Sequence, residues 1–322
     1  MRGYFKYLAW VSTSWALESS NGAADDILVG GQAVIEGVMM RSPQGYAVTV
    51  RRQDGTFQTV KENLPTTAQK WRLFKLPVFR GVGILGQALV LGIRALRFSV
   101  DAALADAEPE QSGVLAKTSP EKVSSWLIAG NLVLALAVNI ALFVALPLFA
   151  TRFAQTRLGF ESALLFNGID GVFRITAFVT FLAVVARMKD MRRVFQYHGA
   201  EHKTVYTFEA RESLNTANAR KFSTLHPRCG TSFLLVVMIV SIAVFSVAHF
   251  DALYAKLLSR IALLPLVAGL SYEVIRFSAK RPAGLLRLVT FPGLMLQKIT
   301  TKEPDEPQLE TAIRALEEAL TV

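Results

Sequence analysis

The chain has 322 residues, of which 52% are hydrophobic, and its mean hydropathy is +0.36. This composition excludes an ordinary soluble domain. The net charge is +10, and in so apolar a chain a positive excess indicates cytoplasmic segments facing anionic lipid rather than a nucleic-acid partner. A single cysteine excludes an internal disulfide. We therefore expect the lipid bilayer as a partner and no nucleic acid.

Residues 1–26 predict an N-terminal extension. Arg2 and Lys6 precede a short apolar run, but polar residues interrupt it and no small-residue cleavage site follows. The run therefore resembles a signal peptide only faintly. An interfacial anchor is the alternative interpretation.

Residues 27–104 predict a small β-region and a helix on the cytoplasmic side. Strand-forming residues at 46–50 and 56–60 flank Asp54-Gly55, a pattern typical of a β-hairpin. Residues 30–41 indicate a strand that enters a turn.

Residues 81–93 are apolar, include Gly81, Gly83 and Gly86, and lie between Arg80 and Arg94. The segment is too short to span a bilayer, so the pattern favours an amphipathic or membrane-surface helix. Residues 105–122 are polar, with mixed charge, and predict a linker.

Residues 123–186 predict a first membrane hairpin. Trp126 to Ala150 is a run of 25 residues without charge, long enough to cross a bilayer. Ile175 to Ala186 is shorter and reaches the required length only if residues 171–174 are added, with Arg174 extending toward the interface.

Residues 230–277 predict a second membrane hairpin. Gly230 to Phe250 is the stronger span, and Ile261 to Tyr272 is the weaker, with Pro265 inside it. Either weak segment could instead be a re-entrant or interfacial helix. We favour four spans over two or three.

The basic residues predict the orientation. Nine lie in the segment 187–229, which we interpret as a cytoplasmic loop, and the tail after the last span is also basic. The connection 151–170 has balanced charges. The positive-inside rule then places both termini and the central segment in the cytoplasm. The expected fold class is mainly α: a multi-pass helical membrane protein with about four spans and a small N-terminal β-hairpin region on the cytoplasmic side.

The tail, residues 278–322, predicts an amphipathic C-terminal helix. Leu309, Ile313, Leu316 and Leu320 form a stripe at helical spacing, and the opposite face is acidic. We expect this helix to dock on another surface, and a protein partner is one possibility.

The segment 197–203 contains the pattern H-x-x-E-H, formed by His198, Glu201 and His202. On a helix, histidines four residues apart share one face. Two imidazoles can then hold one ion, with Glu201 as a catalytic base toward a water. Hydrogen-bonded histidines on a polar loop are the alternative. Histidine is scarce, however, and three of the four lie between positions 198 and 226.

His226 and Cys229 form a second pair, three residues apart. Imidazole with thiolate suits zinc or a similar borderline-soft divalent ion. Reversed zinc-protease motifs usually take a distant carboxylate as third ligand, and Glu273 at the end of an apolar run is a candidate. Its alternative is a surface glutamate that balances Arg276. The predicted cofactor is a divalent metal, with zinc favoured.

Four further residues are candidates for the site, and each also has a purely structural interpretation. Glu36 lies in an apolar, glycine-flanked stretch, or is a turn residue paired with Arg41. Lys203 and Arg228 could orient an anionic substrate, or could contribute only cytoplasmic positive charge. Cys229 is a small buried hydrophobe, or a thiolate nucleophile with a histidine base beside it.

Four sequence stretches resemble the YqhQ-type bacterial membrane family, which is filed as a domain of unknown function and labelled a predicted metal-dependent enzyme. They are G-G-Q-A-V-I-E-G-V-M-M-R-S-P at 30–43, Y-H-G-A-E-H-K at 197–203, H-P-R-C-G-T-S-F at 226–233 and S-Y-E at 271–273. The resemblance covers residues 27–322. It implies a multi-pass protein of the bacterial cytoplasmic (inner) membrane with a metal-dependent activity, and it implies no substrate.

Three functions compete. The leading hypothesis is a metal-dependent, hydrolase-like enzyme with its site at the cytoplasmic membrane face. The second is a non-enzymatic membrane scaffold or assembly factor whose acidic C-terminal helix recruits a partner. The third is a small-solute transporter with a polar path along Asn131, Asn139, Asp170 and Glu273.

Overall fold

The computed structural model describes residues 29–64, 76–107, 125–227, 229–247, 252–280 and 286–322. Over these residues the protein is mainly helical, with one small antiparallel sheet. The N-terminal extension and most of the expected linker lie outside the described residues.

The sheet is a four-stranded antiparallel meander in the order β1–β2–β3–β4. The strands are β1 (Gly30–Val34), β2 (Gly37–Arg41), β3 (Gly45–Arg51) and β4 (Phe57–Asn63). The hairpin predicted around Asp54-Gly55 is confirmed as β3–β4. The single strand expected at 30–41 is instead a hairpin, because Glu36 adopts a positive φ of 51° and reverses the chain.

The first helix, α1 (Phe79–Ala107), has 29 residues and is much longer than its predicted apolar core. Its C-terminal half packs on the sheet through Leu91, Ala95 and Ala102, which share a core cluster with the strands. Near its N-terminus it approaches a later helix so closely that a Cβ on Gly81 would lie 2.8 Å from Tyr272 Cβ. This helix therefore connects the sheet to the apolar part of the molecule.

The apolar helices come next along the chain. They are α2 (Ser125–Ile140), a π-helical turn (Ala141–Ala145), α3 (Leu146–Leu158), α4 (Ala163–Val185), α7 (Gly230–Val247), α8 (Leu253–Ala262) and α9 (Leu264–Lys280). By length and composition, three helical stretches among the described residues could cross a membrane: 133–158, 163–185 and 230–247. A fourth is added if α8 and α9, bent by 50°, count as one broken span.

The expectation that Arg174 extends toward the interface is wrong. Arg174 lies in the middle of α4, is only 6% exposed and pairs with Asp170 one turn earlier. The physical reason is that a carboxylate on the same helix face binds the guanidinium inside the protein, so the side chain does not extend toward water.

The segment 187–229, expected as a loop, is largely ordered as helices α5 (Lys189–Glu209) and α6 (Thr216–Ala219). Its basic residues suggested a cytoplasmic loop, yet α5 buries polar side chains such as Thr204 and Thr207 against neighbouring elements. Helix α10 (Leu286–Thr300) follows the apolar helices and packs along α7.

The C-terminal helix α11 (Glu306–Leu320) begins with a capping box formed by Asp305 and Gln308. Its predicted apolar stripe is buried, with Leu309 and Leu316 fully inaccessible. The surface that covers this stripe is β2, β3 and α5 of the same chain. An external protein partner for this helix stays a prediction.

The sheet, α5 and α11 therefore form one packed unit, which we call the head unit, built from the N-terminal, central and C-terminal parts of the chain. The apolar helices lie between these parts in sequence. They are joined to the head unit by α1, which contacts β1 and β3, and by Thr300 at the end of α10, whose carbonyl accepts from His198 on α5.

Candidate metal centre

His198 and His202 lie one turn apart on α5, with ring centroids separated by 4.5 Å. Each ring binds a backbone carbonyl through Nδ1: His198 binds Thr300 O at 2.8 Å, and His202 binds Thr224 O at 2.5 Å. A carbonyl oxygen only accepts, so each Nδ1 carries the hydrogen and donates it. In the neutral rings both Nε2 atoms are therefore left with a lone pair, the arrangement found in metal-binding histidines.

The Nε2 atoms converge on Cys229. His198 Nε2 lies 3.2 Å from Cys229 Sγ, and the ligand atoms of His198, His202 and Cys229 all lie within 4.8 Å of one another. Zinc–nitrogen and zinc–sulfur bond lengths give a ligand separation of about 3.5 Å in a tetrahedral site. His202 Nε2 is buried and has no hydrogen-bond partner among the described residues. These three donors fit a zinc-like ion.

Cys229 immediately precedes α7, and Thr231 N–H points to its sulfur at 3.4 Å. The Thr231 hydroxyl is 3.1 Å from the same atom. A thiolate ligand here would place negative charge at a helix N-terminus, where the helix dipole stabilises it. The local structure thus suits Cys229 as a ligand.

Glu201 is buried beside the trio, with Oε2 at 3.4 Å from His202 Nε2. Desolvation raises the pKa of Glu201, and the neighbouring His198 and His226 partly offset this effect. Desolvation likewise lowers the pKa of His202, which keeps its imidazole neutral. Because Glu201 lies outside the group of three convergent residues, it suits the role of a base toward a water better than that of a ligand.

His226 lines the same pocket but is not in the convergent trio. Its Nε2 faces Glu209 Oε2 at 3.5 Å, and its ring packs 4.4 Å from Tyr206. The side chain of Gln297 holds the His226 backbone by two hydrogen bonds of 2.8 Å. His226 therefore positions the turn that presents Cys229.

Two further residues of the motif fix α5 in place. A Cβ at Gly199 would lie 2.0 Å from Lys302 O, so only glycine permits this approach of the chain that follows α10. Lys203 is buried, donates to the carbonyls of Arg220 and Phe222, and pairs with Glu303 at 2.7 Å. Its ammonium is thus occupied within the head unit and does not face the pocket.

The remaining candidates lie elsewhere. Glu273 forms a bidentate ion pair with Arg80 between α1 and α9, so the structure does not bring it to the trio. Glu36 binds Arg193 through both oxygens, and its expected pairing with Arg41 is not observed. Arg41 ends β2 opposite Tyr46.

Arg228 lies outside the described residues.

The trio opens into a pocket of about 390 Å³ between β1, α5 and the start of α7. Its walls are partly apolar, with Val29, Ala33 and Phe195 facing the polar cluster. The size suits a small organic substrate.

Sequence reasoning missed the groups that orient the site. The carbonyls of Thr224 and Thr300 fix the two histidine tautomers, and Gln297 braces the His226 turn. Backbone carbonyls have no signature in the sequence. Gln297 lies inside α10, and its spacing to neighbouring residues does not signal its contact with His226, 71 positions earlier.

Comparison with known proteins identifies the family of this chain. A family model described as "Protein of unknown function (DUF1385)" matches residues 76–322. The chain is 31% identical to the "Uncharacterized protein YqhQ" of Bacillus subtilis (strain 168) over 293 residues, covering 90% of this chain and 92% of that protein. The chain therefore belongs to the DUF1385, YqhQ-type family. No solved structure matches it.

Proposed function

We propose that the protein is a membrane-embedded, metal-dependent enzyme of the hydrolase type, with His198, His202 and Cys229 as ligands. The observation that carries the proposal is the convergence of the His198 and His202 Nε2 atoms on the sulfur of Cys229, each ring being held by a carbonyl at Nδ1. If an apolar residue stood in place of Cys229, His198 and His202 would be only two buried, hydrogen-bonded histidines.

Three protein ligands leave a fourth position open, which is typical of catalytic rather than structural zinc sites. A divalent ion held there supplies Lewis-acid activation of a water. Glu201 is placed to accept the proton from such a water, and its buried setting keeps its proton affinity high. The partly apolar pocket beside the trio would receive the substrate.

The arrangement of the chain supports a position at the cytoplasmic membrane face. Because the head unit combines three parts of the sequence, those parts lie on the same side of any membrane that the apolar helices cross. Two candidate crossings, 133–158 and 163–185, separate the sheet from α5. The stretch 230–247 and the bent pair α8–α9 separate α5 from α11. Each pair returns the chain to its starting side, and the positive-inside rule makes that side cytoplasmic.

The test is metal analysis of the purified full-length protein. We expect about one zinc-like ion per chain in the wild type, as a mononuclear site requires. The double variant His198→Ala/His202→Ala and the single variant Cys229→Ser should lose most of it, because fewer than three ligands remain.

Glu273→Gln is the matched control. It removes the carboxylate that the sequence predicted as a ligand and leaves His198, His202 and Cys229 unchanged. It should keep its ion. Equal metal content in the wild type and the double variant, with both proteins folded, would contradict the proposal. Loss of the metal from Glu273→Gln, but not from the other variants, would show that Glu273 is a ligand.

A further inference from the structure

A second cluster of buried charges lies among the apolar helices, on elements that contribute nothing to the histidine site. It consists of Asp170 and Arg174 on α4 and Arg260 on α8. They are 3%, 6% and 3% exposed. We call it the arginine cluster. Charged side chains buried this deeply among apolar helices are costly and usually have a function.

Both arginines of the cluster donate hydrogen bonds to its one carboxylate, that of Asp170. Arg174 Nη2 donates to Asp170 Oδ2 at 3.1 Å, and Arg260 Nη1 donates to Asp170 Oδ1 at 2.8 Å. Two guanidinium groups thus share one aspartate, and the cluster carries one excess positive charge. Burial of an uncompensated charge is strongly unfavourable, so this arrangement calls for a further negative group.

One donor in the cluster marks where that group would bind. Arg174 Nε is buried and has no hydrogen-bond partner among the described residues. Asp170 does not serve it, since its two oxygens accept from Arg174 Nη2 and Arg260 Nη1 instead. An N–H of a guanidinium in this state is a strong donor for an anion.

An aromatic ring compensates only part of the excess charge. Both guanidinium groups lie against Phe245 of α7, at 5.1 and 5.3 Å from the ring centroid. A cation–π contact attracts a cation through the ring face but provides no acceptor for an N–H. Lys256, one turn before Arg260 on the same helix, lies over the ring of Phe166 at 4.2 Å.

The cluster lies at a break between two helices. Arg260 is in the last turn of α8, directly before the 50° bend into α9. At the level of Asp170, Gly171 lets Ile242 of α7 approach so closely that a Cβ would lie 2.4 Å from it. Broken helices recur at ion-binding sites within membranes.

We propose that the arginine cluster binds a small monovalent anion, such as chloride, beside Arg174 Nε between α4, α7 and α8. One negative charge neutralises the excess of one positive charge, and the deep burial of all three side chains favours a small ion over a headgroup or a polyanion. This site is independent of the proposed metal centre and gives the apolar helices a role beyond anchoring.

The test is thermal unfolding of the full-length protein in detergent, in sodium chloride or sodium gluconate at equal ionic strength. A ligand that binds the native state raises the unfolding temperature in a saturable way. We expect chloride to raise it by about 5 °C over gluconate. The variant Arg174→Gln should lose this difference, because both the charge and the Nε donor are removed. Arg187→Gln, at an exposed arginine just beyond α4, should retain it.

Asp170→Asn separates an anion site from a purely structural ion-pair cluster. If the cluster binds an anion, removal of its carboxylate leaves two unneutralised cations, and the chloride dependence should become larger. Equal unfolding temperatures in chloride and gluconate for the wild type would overturn the proposal. So would a rise that Arg174→Gln keeps, since that would reflect a general salt effect. If Arg174→Gln does not fold, Arg174→Lys provides the same test with the charge retained, and it should show a weaker dependence.

Discussion

The histidines of the candidate site owe their orientation to main-chain atoms. Thr224 and Thr300 lie on segments far apart in sequence, and each offers its carbonyl to one imidazole. The Nε2 atoms are therefore aimed before any ion binds, and less ordering is required when it does. The site depends on how closely α5 packs against the segments that carry these carbonyls.

Gly199 controls that packing, and its replacement is a sharp test. In Gly199→Ala the new Cβ would lie 2.0 Å from Lys302 O, a backbone atom that cannot rotate away. We expect α5 to shift from residues 300–302, with a loss of about 1–3 kcal/mol of stability as for other overpacked positions. The His198–Thr300 contact should weaken, and the metal content should fall with it. Thermal unfolding and metal analysis of the same preparation measure both effects.

Gly86→Ala is the matched control. Gly86 is also within a helix, but a Cβ there would meet no atom within 4 Å. Alanine is favoured over glycine in a helix by up to about 1 kcal/mol, so this variant should be at least as stable as the wild type and keep its metal. Normal metal content in Gly199→Ala would show that the approach of Lys302 does not position the histidines.

At this scale the sequence predicted part of the site. The spacing of His198 and His202 determines their common face, and the short distance to Cys229 in sequence made a joint site reasonable. Glu273 was predicted as a ligand from the same family of patterns, yet it pairs with Arg80, 193 positions away. Ion pairs across such a distance depend on how helices pack, which local spacing does not encode.

At the scale of elements, helix α11 is the clearest case of agreement. Its stripe of apolar residues predicted a docked amphipathic helix, and the structure packs that stripe on the sheet and α5. Helix α5 shows the opposite. Its many basic residues suggested a cytoplasmic loop, because a polar helix that buries polar groups by specific hydrogen bonds has the composition of a surface segment.

The packing of α11 predicts a large effect of its central residue. Leu316 is fully buried against the sheet. Leu316→Ala should destabilise the head unit by about 2–5 kcal/mol, through lost apolar contact and the cavity left behind. Denaturant unfolding monitored on the full-length protein provides the measurement.

Glu317, the next residue, is exposed and serves as the control for Leu316. Glu317→Ala should leave stability nearly unchanged, since surface substitutions away from special contacts have small effects. Similar stability of the two variants would show that α11 is not packed on the sheet. If Leu316→Ala is stable but a cellular function is lost, the helix serves an external partner, as the scaffold hypothesis predicts.

At the scale of the whole molecule, the order of elements restricts topology. If the apolar helices cross a membrane, the head unit requires an even number of crossings both before and after α5. The bent pair α8–α9 would then cross as one broken span rather than return to the side from which it entered. Hydropathy alone left that choice open, because each half is too short to decide it.

Reporter fusions measure this topology directly. A fluorescent protein fused after Val322 should fluoresce, and alkaline phosphatase at the same position should be inactive, because the C-terminus is expected in the cytoplasm. Phosphatase inserted between α3 and α4, at residues 159–162, should be active on the opposite side. An active phosphatase at the C-terminus would exclude the four-crossing arrangement and with it the shared location of the sheet and α11.

The head unit also has a consequence for how the protein is made. The sheet precedes every apolar helix in the sequence, while α11, which covers Met40 and Ala47 of the sheet in a shared core cluster, follows all of them. The apolar face of the sheet therefore stays uncovered during synthesis until α11 has been made. A chain that stops before α11 leaves this apolar face exposed, a state that chaperones and proteases recognise.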